Sequence, residues 1–186
     1  MVAAEKPSLD VTLDKTVRQG KKQIILCREK GNEEAALTLL WQTESEIGIS
    51  KDSDTEATKS GPIAQPGEIE YDFSVTCYMA VNDPAVTMLK RCFMENKLVE
   101  LWDINLQHKK PEGTNQYASD YYQAYVSSFT PTAPADEMVE LELEFTVDGV
   151  HQEGWATVTD AQEDGASYEF VDTTAEAAKA ANLQEA

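Results

Sequence analysis

The 186-residue sequence has no apolar run approaching the roughly 18 to 20 residues a membrane-crossing helix needs, so no helical span of a bilayer is expected. Its start, MVAAEKPSLDVTLDK, lacks the basic stretch and apolar core of a secretory leader, and the expectation is a chain made and folded in a cytoplasm. Cysteine is scarce: Cys27, Cys77 and Cys92 are odd in number, far apart and without a CxxC pair, which argues against a disulfide framework and for buried thiols. His108 and His151 are the only histidines, and no ligand spacing recommends a zinc site. Basic charge is also in short supply. Fifteen Lys and Arg stand against 34 Asp and Glu, a net charge of −19, so the clustered cations needed to grip a phosphate backbone are missing. There is no GxSxG elbow, Walker loop, HExxH or glycine-rich dinucleotide turn, and neither an enzyme nor a cofactor or metal is expected. Paired acids abound, but in so anionic a chain they say little about acid–base catalysis.

What the sequence does contain is charge segregation and period-two alternation. Residues 133–186 hold 14 acidic groups and only Lys179 as a base, a net of −13, which leaves −6 for the first 132 residues. Across residues 15–30, by contrast, Lys15, Arg18, Lys21, Lys22, Arg28 and Lys30 face Glu29 alone. This is either a solvated surface or a basic patch, with Lys15, Arg18, Lys21 and Lys22 at its heart, that meets the acidic surface of another copy. In EMVELELEFTVDG, Val139, Leu141, Leu143, Phe145 and Val147 alternate with Glu140, Glu142 and Glu144. Successive strand residues point to opposite faces, so one face of this strand is apolar and the other anionic. EIEYDFSVTCYMA repeats the pattern, with Ile69, Tyr71, Phe73, Val75, Cys77 and Met79 on one face and Glu68, Glu70 and Asp72 leading the other.

Between these landmarks, QIILC and ALTLLW read as short strands joined by a turn at Gly31 and Asn32. Residues 42–67 read as a long polar loop, or an extended hairpin tip, that makes contacts and orders on assembly. NDPAVTMLKRCFMENKLV changes to helical spacing, with Asn82 or Asp83 as N-cap, Pro84 in the first turn, and Val86, Leu89, Cys92 and Phe93 as its apolar stripe. LVELWDINL and YYQAYVSSF are further strands, and TPTAPADE is a connection. Asp148-Gly149 is a two-residue hairpin turn into a last strand, HQEGWATVTD. The expected fold is mainly β (α+β): an antiparallel β-sandwich or partly open barrel with one flanking α-helix. It occupies residues 1–160, with an acidic C-terminal tail or arm at 161–186.

This order resembles the major tail proteins, the tail tube subunits of long non-contractile-tailed bacteriophages of the lactococcal type. The residues that carry the likeness are NDPAVTMLKRCF, the polar segment before EYDFSVTCY, and SSFTPTAPADEMVELELEFTVDG followed by GWATVTD. The resemblance covers roughly residues 8–160. It implies a structural virion protein of the tail, assembled in the host cytoplasm, in which six copies close into a ring and rings stack into a conduit for DNA. Its implied partners are itself, the tape measure protein, and the tail terminator and distal tail proteins, with DNA passing through unbound. The segment holding Glu44, Glu46, Lys51, Asp52, Asp54 and Lys59 sits where this family extends a loop to the adjacent ring. On this reading Glu68, Glu70 and Asp72, or Glu140, Glu142 and Glu144, line the lumen and repel DNA. The alternative is a monomeric β-sandwich module binding carbohydrate or protein through Tyr117, Tyr121, Tyr122 and Tyr125, which otherwise serve as core and interface.

Overall fold

The structure, a computed structural model, describes residues 17–111, 115–159 and 162. Lys15 and nearly all of the 161–186 tail therefore lie outside the described residues. After a 3-10 turn at Gly20–Lys22 come β1 (Gln23–Glu29), β2 (Leu37–Thr38), β3 (Gln42–Thr58) and β4 (Gly61–Tyr78). The helix α1 (Pro84–Glu95) follows, then β5 (Leu98–Lys109), β6 (Gln116–Thr132), β7 (Glu140–Val147) and β8 (Gln152–Thr157).

The helix begins where its cap chemistry dictates. The Asp83 carboxylate accepts from the Ala85 and Val86 amides at 2.8 and 3.3 Å, and Pro84 occupies the first turn, where its missing N–H costs nothing. Asn96, in the left-handed region at φ 50°, ends it. Ala85, Val86, Met88, Leu89 and Cys92 are buried, and Phe93 is half-buried against the same core.

All strand pairs are antiparallel and form one sheet in the order β2-β1-β5-β6-β7-β4-β3. The expected mainly β domain with a flanking helix is present in its partly open form. The sheet does not close, but Gln42 at the start of β3 bridges toward β1: its side chain accepts from Ile25 N at 2.9 Å and donates to Ile25 O at 2.8 Å. A side-chain amide thus takes the place of a backbone rung. The face under the helix holds the main core, including Ile25, Cys27, Phe73, Val75, Leu101, Tyr122, Leu141 and Leu143. Leu26, Ile104, Tyr117 and Val158 form a second cluster.

Three expectations change. Of the two readings of residues 42–67, the extended hairpin holds and the loop does not: β3 and β4 pair from Gln42–Cys77 out to Thr58–Gly61. Beyond Phe73, which pairs with Phe145, β4 has only β3 as a neighbour, so the hairpin projects as a two-stranded arm. Pro62 and Pro66 are tolerated there because that length of β4 is unpaired on its β7 side. Second, Asp148-Gly149 is no hairpin turn. A type I′ turn needs two residues at positive φ, and here only Gly149 (79°) has one. The chain keeps its direction instead: β7 pairs with residues 124–132 of β6 and β8 with residues 116–121. Third, the strand expected over residues 36–41 shrinks to Leu37–Thr38, and the TPT of the expected connection is absorbed into β6.

Candidate functional site

Register brings the two acidic rows onto one face. Glu144, Glu142 and Glu140 stand opposite Ser74, Thr76 and Tyr78 of β4, and directly opposed antiparallel residues share a face. Glu68, Glu70 and Asp72 continue that face along β4. On the far side of β4, Glu46 opposes Ser74 and Glu44 opposes Thr76; on the far side of β7, Ser128, Thr130 and Thr132 complete the rows. Between the pairs Lys51–Ile69 and Ser53–Pro66, β4 carries one extra residue, so Gly67 and Glu68 together face Asp52. The bulge is on β4, and β3 alternates without interruption. Asp52, Asp54 and Glu56 therefore follow Glu44 and Glu46 on the acidic face. Glycine is required at the bulge, because a Cβ at Gly67 would lie 2.9 Å from the Asp52 carbonyl oxygen.

The result is eleven exposed carboxylates on one surface, from Glu140, Glu142 and Glu144 to Glu56, with no Lys or Arg among its described residues. Of the residues expected at a ring-to-ring contact, Glu44, Glu46, Asp52 and Asp54 thus belong to the same face as the expected lumen acids. Lys51 points to the opposite face and Lys59 sits in the turn at the arm tip. That opposite face is apolar or neutral apart from Lys51. It runs from Ile47 and Tyr71, packed on the core, to Ile49, Ile69, Pro66, Ala64 and Pro62.

The arm is anchored at its root. Tyr71 Oη lies 2.8 Å from His151 Nδ1 and accepts from the His151 amide at 3.2 Å; the His151 ring stacks on Tyr122. The break between β7 and β8 thereby holds the point where the arm leaves the sheet. Below it, Asp103 and Asp120 stand opposite each other on β5 and β6. Burial pushes the Asp103 carboxyl above its ordinary value, although Gln23 donates to both its oxygens at 2.8 and 2.6 Å and Arg18 lies nearby. Burial raises Asp120 as well, opposed by His151. Of the expected basic patch, Arg18 is exposed and its charge favours the ionised form of both carboxyls, while Lys21 and Lys22 are exposed in the 3-10 turn.

The tyrosines do not form one surface. Tyr117 and Tyr122 are buried, Tyr121 donates to Glu100 at 2.8 Å, and Tyr125 is exposed. The cysteines are all buried and free; burial pushes the Cys77 thiol up to about 11 and raises Cys27 and Cys92 as well. One feature the sequence did not announce is Trp41, which is 62% exposed at φ 54° and lies beside Leu40 on a groove at the start of β3. A bulky residue in the left-handed region is uncommon, and only its context, not its identity, marks it.

The family model for phage tail tube proteins matches residues 17–153. A provisionally named tail protein of Staphylococcus phage phiMR25 is 28% identical over 162 residues, 85% of this chain and 84% of that one. Among solved structures, the SPP1 tail tube protein superposes with a TM-score of 0.70 at 19% identity, over 85% of this chain and 95% of its own. The tail of the empty GTA particle, with C6 symmetry, follows at 0.57 and 12%, over 73% and 98%. With the family match spanning most of the folded domain, the chain belongs to the phage tail tube proteins and is a structural, tube-forming component of the virion tail.

Proposed function

We propose that six copies of the chain close into a ring, that rings stack through the projecting arms, and that the acidic face of β3, β4 and β7 lines the lumen through which DNA leaves the capsid. The observation that carries this reading is the unbroken carboxylate surface. A basic lining would hold a polyanion at each phosphate; a lining of one negative sign repels it and lets it slide. The acids continue onto the arm, so an arm reaching the next ring carries the repulsive surface across the boundary between rings. The sixfold count is supported by the C6 symmetry of the GTA tail, a structural likeness. The tape measure protein inside the tube and the terminator and distal tail proteins at its ends complete the proposed partners.

Negative-stain electron microscopy of the concentrated protein, paired with its mass in solution, tests the assembly. Hollow tubes of stacked six-membered rings are expected, with the acidic face inward on reconstruction. Tubes with that face outward would overturn the lumen assignment, and a protein still monomeric after addition of the tape measure protein would overturn the assembly.

A further inference from the structure

We propose that residues 17–19 form a pH-sensitive strap: Arg18 supplies the counter-charge for a rung of three carboxylates across β5, β6 and β8, and protonation of the rung loosens the strap. The rung follows from register. Asp103 stands opposite Asp120, and Asp120 stands opposite Glu153. Directly opposed residues of antiparallel strands share a face, and like charges so placed repel one another. On β5 this is the face that buries Val99 and Leu101 in the main core, so the rung lies where that core ends. Asp103 is 6% exposed and cannot relieve the repulsion by turning into water.

Few groups face the rung. From β1, Gln23 donates to both Asp103 oxygens but carries no charge, and Ile25, opposite Asp103, is apolar. From β6, Tyr122 stays neutral, its hydroxyl pushed up by burial and by Asp120 and Asp103. From the break between β7 and β8, His151, bonded to Tyr71 of β4, acts on Asp120 when protonated. Arg18 is the cation that acts on both Asp103 and Asp120.

Gln107 sets Arg18 in place. Its side-chain oxygen accepts from the Gln19 amide at 2.6 Å, and its side-chain nitrogen donates to the Val17 carbonyl at 3.5 Å. One amide thus grips the backbone on either side of Arg18, as a neighbouring strand would. Asn105 Oδ1 supports it by accepting from the Gln107 backbone N–H at 3.0 Å. Val17, Arg18 and Gln19 are all exposed, so little apolar burial holds the segment and charge carries a large share of its docking. Arg18 favours the ionised carboxylates, and by reciprocity the ionised carboxylates favour the docked strap. Docking is therefore strongest while the rung is charged and weakens as pH falls through its titration. Burial holds Asp103 and Asp120 above the ordinary value of 3.8, which brings that titration to less acidic pH.

The device belongs to the single subunit, so its test needs no tube. NMR of the full-length subunit follows the Asp103 and Asp120 carboxyl carbons through an acid titration, and the ¹⁵N heteronuclear NOE of Arg18 and Gln19 reports the order of the strap. Arg18→Gln is expected to move both carboxyl midpoints upward, and Arg18→Lys to keep them near the parent's. Gln107→Ala should also raise them although Arg18 remains, because docking is what brings its charge to the rung. The double variant Asp103→Asn with Asp120→Asn, measured at neutral pH, should lower the Gln19 NOE to the level seen in Gln107→Ala. Midpoints unmoved by Arg18→Gln or by Gln107→Ala would overturn the inference. So would a strap as ordered in the double asparagine variant as in the parent.

Discussion

Leu143 and Glu142 are neighbours on β7 with opposite surroundings: one is fully buried under the helix layer, the other stands in solvent on the acidic face. Leu143→Ala is expected to lower the unfolding free energy of the soluble subunit by about 2 to 5 kcal/mol, through lost burial and a residual cavity. Glu142→Gln should change it by less than about 0.5 kcal/mol. Urea unfolding of both variants checks the contrast, and equal effects would refute the assignment of faces. Asp103 supplies a pH signature. Its carboxyl ionises less readily in the fold than in the unfolded chain, so the folded state binds the extra proton between the two pKa values. That contribution to stability is complete below the ordinary aspartate value of 3.8 and is lost as pH rises through the higher folded value. Asp103→Asn should flatten this fall; unfolding curves with the same pH slope as the parent would count against it. The alternation that places Leu143 is legible in the sequence because strand geometry converts period two directly into inside and outside. The Asp103 environment is not, since its partners Gln23 and Asp120 come from other strands.

Among the elements, the arm shows most clearly where local pattern fails. From Ser50 to Gly67 both faces of the hairpin lie beyond the core, so no alternation of apolar and polar residues records its strands. Turn-forming composition then makes paired strands read as a loop. The helix is the opposite case: Asp83, Pro84 and the apolar stripe state its start and its buried side within a few residues. The arm's dependence on the Gly67 bulge is testable. Gly67→Ala brings a Cβ to 2.9 Å from backbone oxygen, which must move. The expected result is faster amide hydrogen exchange in residues 53–66, with the β5–β6 amides unchanged. Exchange indistinguishable from the parent across the arm would show that the bulge tolerates a side chain. The Asp148-Gly149 dipeptide shows the reverse failure, a strong local turn signal overruled because the length of β6 offers one edge to both β7 and β8.

For the whole molecule, the acidic face matters as a field rather than as single groups. On the proposed assembly, replacing Glu140, Glu142 and Glu144 with lysine in intact phage should slow DNA ejection, most at low ionic strength, where repulsion and attraction are least screened. The matching replacement of Glu68, Glu70 and Asp72 should act in the same direction, because both rows share a surface. Ejection kinetics unaltered by both sets at low salt would remove the electrostatic role of the lumen. The sequence displays the two acidic rows but not their union: they are some 70 residues apart, and it is the β4–β7 register, from Phe73–Phe145 to Tyr78–Glu140, that aligns them.

Composition, charge sign, the helix with its caps and the alternating strands are all properties of residues near one another in the chain, and the amino-acid order alone settles them. It also carries the order of elements through which the chain resembles tail tube proteins. The continuity of the acidic face, the arm, the shared edge of β6 and the groove at Trp41 arise from strand register across long loops. Register is set by cross-strand packing and by one-residue bulges such as Gly67, quantities that no local window contains.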